Sequence, residues 1–398
     1  MKKKNTTKSK KPKKIKNKNE VLFKGVDQAT EISTYYGFYP INSPEIKKID
    51  KDTANKVLKD EKDSFPGNLD IFEIEDRVAI LREYIDKKMD RSGQPALVSY
   101  ENKSDKKHNL FHLEILGTNK SIGDATIIKT SLEILKEYGL ENLVVKINSM
   151  GDKDSYSKFL KEFINYTKKN IEEMTSQCRQ NFKKNPLCIL NCEHEKCVKI
   201  AETCPKPMNF LSEPSRNHFK EVLEHLETLE IAYEIDEKMV SDRTYGCFTV
   251  FKIIKAEEQK NTLCAGVRFN TLSKKIGLKK ETQSMGAVIK LPEKKNEIKK
   301  KIFKPVVSFV QIGFEAKLKS LQVIEILRKE KIPTFQVLSR DKLSSQLQIA
   351  DNLKIPYTLI MGQKEAMENS VIVREALTHS QETVSIKNLS IYLKKYLK

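Results

Sequence analysis

No apolar run in this 398-residue chain approaches the ~18 residues that a membrane-spanning helix requires. The N-terminus also lacks the apolar stretch of a signal peptide, and together these absences predict a cytosolic protein with no membrane partner. There is no P-loop, no GxGxxG and no Ser/His/Asp nucleophile set, which removes the commonest nucleotide-binding and hydrolase signatures. Seven cysteines are too few for a disulfide scaffold in a chain this long, and no CxxC knuckle is present.

What the chain does have is charge. Charged residues make up 32% of it and hydrophobic residues 38%, as in a globular protein with a heavily charged surface. Its length allows two or three domains, each with its own core. The formal net charge is +19, which favours a polyanionic partner such as RNA. Residues 1–20 hold ten lysines and one glutamate, too little apolar content and too many like charges to fold, and read as a disordered arm. The arm supplies about half of the excess, and the rest of the chain remains basic.

From residue 21 the pattern becomes mixed. Thr30 to Ile46 reads as a helix end, a Gly37 cap and a strand broken by Pro40 and Pro44. Ile122, Ile127, Ile128, Leu132 and Leu135 fall at helical spacing, and the helix they predict stops at Gly139. NLVVKINS, AYEIDE, CFTVFKII and SMGAVIKL read as strands, separated by amphipathic helices. The charged segment 293–304 marks a domain boundary. Beyond it, strands and helices alternate over 305–398, which predicts an α/β domain with a largely parallel sheet.

Ser344 to Glu375 carries a Gln-containing helix, then Ala-Asp, a strand leading to Gly-Gln-Lys-Glu and a strand ending at Arg374. That order resembles the anticodon-binding domain shared by synthetases for His, Gly, Thr and Pro. Residues 21–292 carry matching landmarks. YYGFYPINSPEI, FHLEILG, GDATII, CRQNFKKNPLCILNCE, MVSDRTYGCFTVFK and CAGVRFNTL resemble segments of the histidyl-tRNA synthetase catalytic core in their order. The resemblance implies an α+β class II core, an antiparallel sheet flanked by helices, followed by the α/β anticodon-binding-like domain. It also implies a dimer, because Pro44 falls at the motif 1 proline of the class II interface.

Amino-acid activation joins a carboxylate to the α-phosphate of ATP, and fixed cations, usually arginines and magnesium, neutralise the charge that develops. Arginine suits this work because its fork holds phosphate in one orientation. The family reads F-R-x-E in motif 2, where VSYE places Ser99 at the arginine and keeps Glu101. For RGLDYY this chain reads SDRTYG, with Ser241 at the arginine, Thr244 at the aspartate and Tyr245 retained. Motif 3 ends G-x-x-x-G-x-E-R in the family, and GAVIKLPE places Lys290 at a glycine and Glu293 at the arginine. Two hydroxyls and a carboxylate thus stand where three cations belong.

The histidine pocket implied by the resemblance is also altered. FEIE keeps Glu75 but places Glu73 at an arginine, and Glu114 matches the second amino-group acceptor. The motif 2 loop is about three residues short, so Ser99 and Glu114 cannot share one ungapped alignment. Gly266 is kept, Val267 and Thr271 interrupt a glycine-rich turn, and Arg268 reads as a structural ion pair or a pocket relic. His108 and His112 read as loop and core residues.

Five of the seven cysteines fall between Cys178 and Cys204, at spacings of ten, four, five and seven. Cys178, Cys192, His194, Cys197 and Cys204 form a candidate zinc set, with Cys188 between them. The alternative is that they are buried or inherited, since the family carries cysteines at the places of Cys178 and Cys192.

Three functions follow from the resemblance. The leading expectation is a histidyl-tRNA synthetase paralogue without ligase activity, kept for binding tRNA or a protein partner, as a homodimer or with a genuine synthetase. The second is an active histidine–tRNA ligase using ATP and Mg, with Arg243, Lys290 or Arg268 taking over phosphate binding. The third is a regulatory subunit resembling that of ATP phosphoribosyltransferase, whose relatives generally lack the C-terminal domain kept here.

Overall fold

The computed structural model describes residues 20–60, 74–91, 95–102, 109–241, 245–259, 261–292, 299–337 and 342–396. The Lys-rich arm, Glu73, His108, Arg243, Thr244 and Glu293 lie outside these residues.

The chain opens with strand β1 (Val21–Val26) and helix α1 (Gln28–Tyr35), whose N-cap Asp27 accepts from the Thr30 amide at 2.6 Å. Gly37 follows with φ +93°, and the Phe38 amide donates back to Ser33 O at 3.1 Å, a Schellman closure that aims the chain into β2 (Tyr39–Pro40). Helices α2 (Lys48–Asp60) and α3 (Ile74–Asp86) come next, then β3 (Ala96–Asn102) and β4 (Asn109–Leu116). After α4 (Ser121–Glu137) and β5 (Leu143–Ser149) the chain enters a helical lobe. It comprises α5 (Lys153–Lys169), α6 (Ser176–Lys184) and α7 (Glu195–Thr203), with 3-10 segments at Ile171–Glu173 and Pro186–Asn191 between them. Helix α8 (Glu213–Thr228), β6 (Tyr233–Ile235), β7 (Cys247–Lys255), β8 (Thr262–Arg268), the short α9 (Leu272–Lys275) and β9 (Ser284–Leu291) complete the core.

Eight strands form its sheet in the order β2-β3-β4-β9-β8-β7-β5-β6, antiparallel except for the edge pairs β2–β3 and β5–β6. Side-chain alternation divides the sheet into two faces. Phe111, Leu113, Phe251 and Ala287 pack with residues of α1, α4 and α8. The opposite face is shared. Val98, Tyr100 and Leu116 meet α3 and Phe269 at one end, while Val250, Ala265 and Val288 meet the helical lobe at the other.

The segment expected to be a charged linker is partly strand. Its end, β10 (Lys300–Phe303), pairs antiparallel with β1, so the lysines flank a β pairing that charge alone conceals. Then follow β11 (Val307–Gln311), α10 (Phe314–Lys329), β12 (Thr334–Gln336), α11 (Leu343–Asn352), β13 (Tyr357–Met361), α12 (Gln363–Met367), β14 (Ser370–Glu375), β15 (Gln381–Ser385) and α13 (Ile386–Tyr396). This sheet runs β12-β11-β13-β14-β15. Only β12–β11 and β11–β13 are parallel, and β13–β14–β15 is an antiparallel meander. The largely parallel expectation is therefore corrected to a mixed sheet. The reason is the short connection from β14 to β15, which leaves no room for a crossover helix.

Polar contacts bind the two units. Arg328 on α10 reaches Glu133 at 3.1 Å and Glu137 at 3.0 Å on α4, as well as Glu325 at 2.9 Å. Tyr36 hydrogen-bonds Glu325, and Gln336 donates to Tyr36 O at 2.8 Å. Buried glutamines extend that line inward. Gln311 donates to Gln336 at 3.4 Å, and Gln346 donates to Gln311 O at 2.9 Å. No described helix is long and apolar enough to cross a membrane.

Candidate functional site

The residues matched to the family's pocket divide between the two faces of the core sheet. Ser99 points toward α1, where its hydroxyl meets that of Ser33 at 3.0 Å, and Glu101, two residues on, shares that side. Glu114 points the other way. The register pairs it with Val98 and pairs His112 with Tyr100, so Val98, Tyr100 and Asn102 are the residues that β3 presents to the Glu114 face. Ser99, matched to the motif 2 arginine, and Glu114, matched to the amino-group acceptor, thus stand on opposite faces of the pleat, since a one-residue step moves a side chain to the other face. No arginine stands on β3 in either register.

Helix α3 covers the Glu114 face and brings a buried arginine that sequence matching missed. Arg77 is 2% exposed, 3.7 Å from Glu114 Oε2, with its guanidinium 4.2 Å above the Phe269 ring. Neighbouring Asp76 accepts from the Asn102 amide nitrogen at 3.2 Å. His112 lies 4.0 Å from Glu114 and stacks on Tyr100 with ring centroids 4.6 Å apart. The signal for Arg77 was present: it sits among Ile74, Val78 and Leu81 on the apolar face of a helix, where an arginine needs an internal partner.

These groups press against backbone. A Cβ added at Gly286 on β9 would lie 2.0 Å from Glu114 Oε2 and 2.7 Å from Arg77 Nη1, so the glycine makes room for the protein's own charged side chains. Burial pushes the Glu114 carboxyl up to about 8, outweighing the opposing Arg77 charge. Burial, aided by Arg77, drives the His112 imidazole down to about 3. Burial thus favours the protonated carboxyl at Glu114 and the neutral imidazole at His112.

Other matched residues are committed elsewhere. Arg268 faces α4, donating to Asp124 at 2.9 and 3.0 Å, to Thr118 O at 3.0 Å and to Lys120 O at 3.2 Å. Burial raises the Asp124 carboxyl, but Arg268 and His218 overcome it and hold the group well below the usual carboxylate range. Gly266 supports packing, because a Cβ there would fall 2.0 Å from the Phe251 ring. Tyr245 and Ser241 are buried, Glu75 is half-buried in the first turn of α3, and half-buried Lys290 sits opposite Leu110 near the end of β9.

Pro44 is buried in the loop before α2. Nearby an apolar groove is lined by Leu22, Phe23, Tyr35, Phe38, Tyr39 and Phe303, with Tyr39 53% exposed. In the helical lobe, the Sγ atoms of Cys178, Cys192 and Cys197 all lie within 4.8 Å of one another. Cys204 stands apart from this group, donating to Ala201 O at 3.3 Å, and His194 is the exposed N-cap of α7.

Comparison with known proteins agrees with this architecture. The anticodon binding domain family matches residues 306–396. A histidine–tRNA ligase from Caldicellulosiruptor saccharolyticus is 32% identical over 310 residues, 74% of this chain and 73% of that protein. One from Macrococcus caseolyticus is 25% identical over 391 residues, 91% and 93% of the two chains. The crystal structure of apo S. aureus histidyl-tRNA synthetase, 22% identical, covers 93% of this chain and 94% of its own, with a TM-score of 0.51, a likeness of fold. With the class II sheet, the docked C-terminal domain and identity at this level over most of both chains, this protein belongs to the histidine–tRNA ligase family.

Proposed function

We propose that this chain is a histidyl-tRNA synthetase-like protein that binds tRNA or a partner protein and does not ligate histidine. The observation that carries this reading is the Arg77–Glu114 pair. The carboxylate expected to accept the substrate's amino group is instead buried against an internal guanidinium, with burial holding it protonated at neutral pH. A neutral acid gives up most of its attraction for an ammonium ion. The sequence adds Ser241 and Glu293 at positions where the family carries arginines, and losing one such cation typically costs about 3 kcal/mol of transition-state stabilisation.

The C-terminal domain supports a retained tRNA-binding role, and the overall charge of +19 favours that partner. The apolar groove beside the motif 1-like segment supports self-association or pairing with a genuine synthetase. In the competing ligase reading, ATP and Mg would be held by Arg243, Lys290 or Arg268. Arg268 is already occupied by Asp124, which weighs against it.

Histidine-dependent ATP–pyrophosphate exchange, run beside an authentic synthetase, tests the proposal together with gel-shift titration of tRNA. No exchange with salt-dependent tRNA binding is the expected result. Exchange that Arg243→Ala or Lys290→Ala abolishes would establish the ligase reading instead. Co-purification with a phosphoribosyltransferase would favour the regulatory one.

A further inference from the structure

Two of the three helices in the helical lobe are too short to be stable alone. Helices α6 and α7 have nine residues each, joined by the 3-10 segment Pro186–Asn191, and isolated helices of that length are marginal in water. Three cysteines from these pieces converge. Cys178 lies in the first turn of α6, Cys192 caps the 3-10 segment, and Cys197 lies in α7, so a joint among them would tie all three pieces together.

Their spacing is informative. Cys178 and Cys192 have Sγ atoms 3.7 Å apart, and Cys197 contacts both. A disulfide would bring two sulfurs to about 2.05 Å, whereas tetrahedral thiolates around zinc at about 2.3 Å sit about 3.8 Å apart. All seven cysteines are free thiols. Cys178 and Cys197 are buried while Cys192 is half-exposed, which leaves a solvent side for an ion to enter. Soft thiolates with no carboxylate in the group select zinc over magnesium or calcium.

We propose that Cys178, Cys192 and Cys197 bind one structural zinc ion that pins α6, the Pro186–Asn191 turn and α7 together. Cys188 is also buried in this lobe but is not one of the three converging sulfurs. Cys204 and His194 fall outside the set. The ion is a cross-link for a small helical core, a role separate from the pocket beneath α3.

The full-length protein, purified without chelator, should carry about one zinc per chain, released in step with mercurial titration of its thiols and captured by a chromogenic chelator. Cys178→Ser and Cys197→Ser should each lower zinc content at least tenfold, while Cys247→Ser and Cys264→Ser keep it. Cobalt added to the zinc-stripped protein should give thiolate charge-transfer and tetrahedral d–d bands, a readout independent of variant folding. Zinc that remains in the Cys178→Ser and Cys197→Ser proteins would overturn the proposal. So would a metal-free wild type whose seven thiols all react, or one with only five reactive thiols and a Cys178–Cys192 disulfide.

Discussion

Two arginines are buried on opposite faces of the same sheet, and they are treated very differently. Arg268, facing α4, makes hydrogen bonds at 2.9–3.2 Å to Asp124, Thr118 and Lys120. Arg77, on α3, meets Glu114 at 3.7 Å, beyond hydrogen-bond reach, and lies over Phe269, the residue next to Arg268 in the chain. Their carboxylates respond in opposite directions. Asp124 is held charged despite its burial, while burial pushes Glu114 up to about 8. The first pair is fully satisfied and serves the fold. The second packs its charged groups against Gly286 and the Phe269 ring.

The sharpest way to break this comparison is Arg268→Met. It leaves the Asp124 carboxylate buried without its main counter-charge, which should cost about 3–5 kcal/mol of folding stability. Urea denaturation reads the loss, and a change below about 1 kcal/mol would show that the satisfied pair is no anchor. The interdomain seam comes next. Arg328 is 9% exposed at its side chain and reaches three glutamates, two of them on α4. Arg328→Ala should cost about 2 kcal/mol and expose the α10–α4 seam to faster hydrogen exchange.

The same two faces show what the sequence could reveal. Apolar periodicity exposed α4, α8, α10 and their neighbouring strands, because each buries a regular stripe or face. It could not expose β10, where Lys300 and Lys301 mask a pairing with a strand almost three hundred residues earlier. It also misjudged the C-terminal sheet, because alternation of strands and helices says nothing about the direction of β14. Motif matching could not show that Ser99 and Glu114 stand on opposite faces, since a gapless match carries no information on pleat phase across a shortened loop. Arg77 went unseen because the family pattern offers no arginine there, although its place on the apolar face of α3 was visible. The three converging cysteines were legible as candidates, and only the fold separated them from Cys204.

If the Arg77 pair adds little to the fold, replacing both partners should be tolerated. Arg77→Met with Glu114→Gln keeps the volume and removes two buried ionisable groups, a change often neutral or stabilising. Stability within about 1 kcal/mol of wild type is expected, against the large loss for Arg268→Met. A loss as large as the Arg268 one would erase the contrast and make both pairs structural.

The smallest effect is the most specific, because it isolates Glu114 by pH. The native state holds a proton on Glu114 up to about 8, whereas the unfolded chain releases it near the ordinary value of 4.5. Between those values the native state binds more protons, so this group's contribution to stability falls as pH rises. His112 has the opposite sign. Its imidazole is driven down from 6.5 to about 3, so over that range the unfolded chain binds more protons and stability rises with pH. The two oppose each other where their windows overlap. Between pH 6.5 and about 8, of these two groups Glu114 alone still differs substantially in protonation between the native and unfolded states. Glu114→Gln should therefore flatten the decline in urea midpoint across that interval, and His112→Asn should leave it in place. An unchanged decline in Glu114→Gln would mean that the carboxylate is ionised at neutral pH and that the pocket still offers a negative charge to a substrate ammonium.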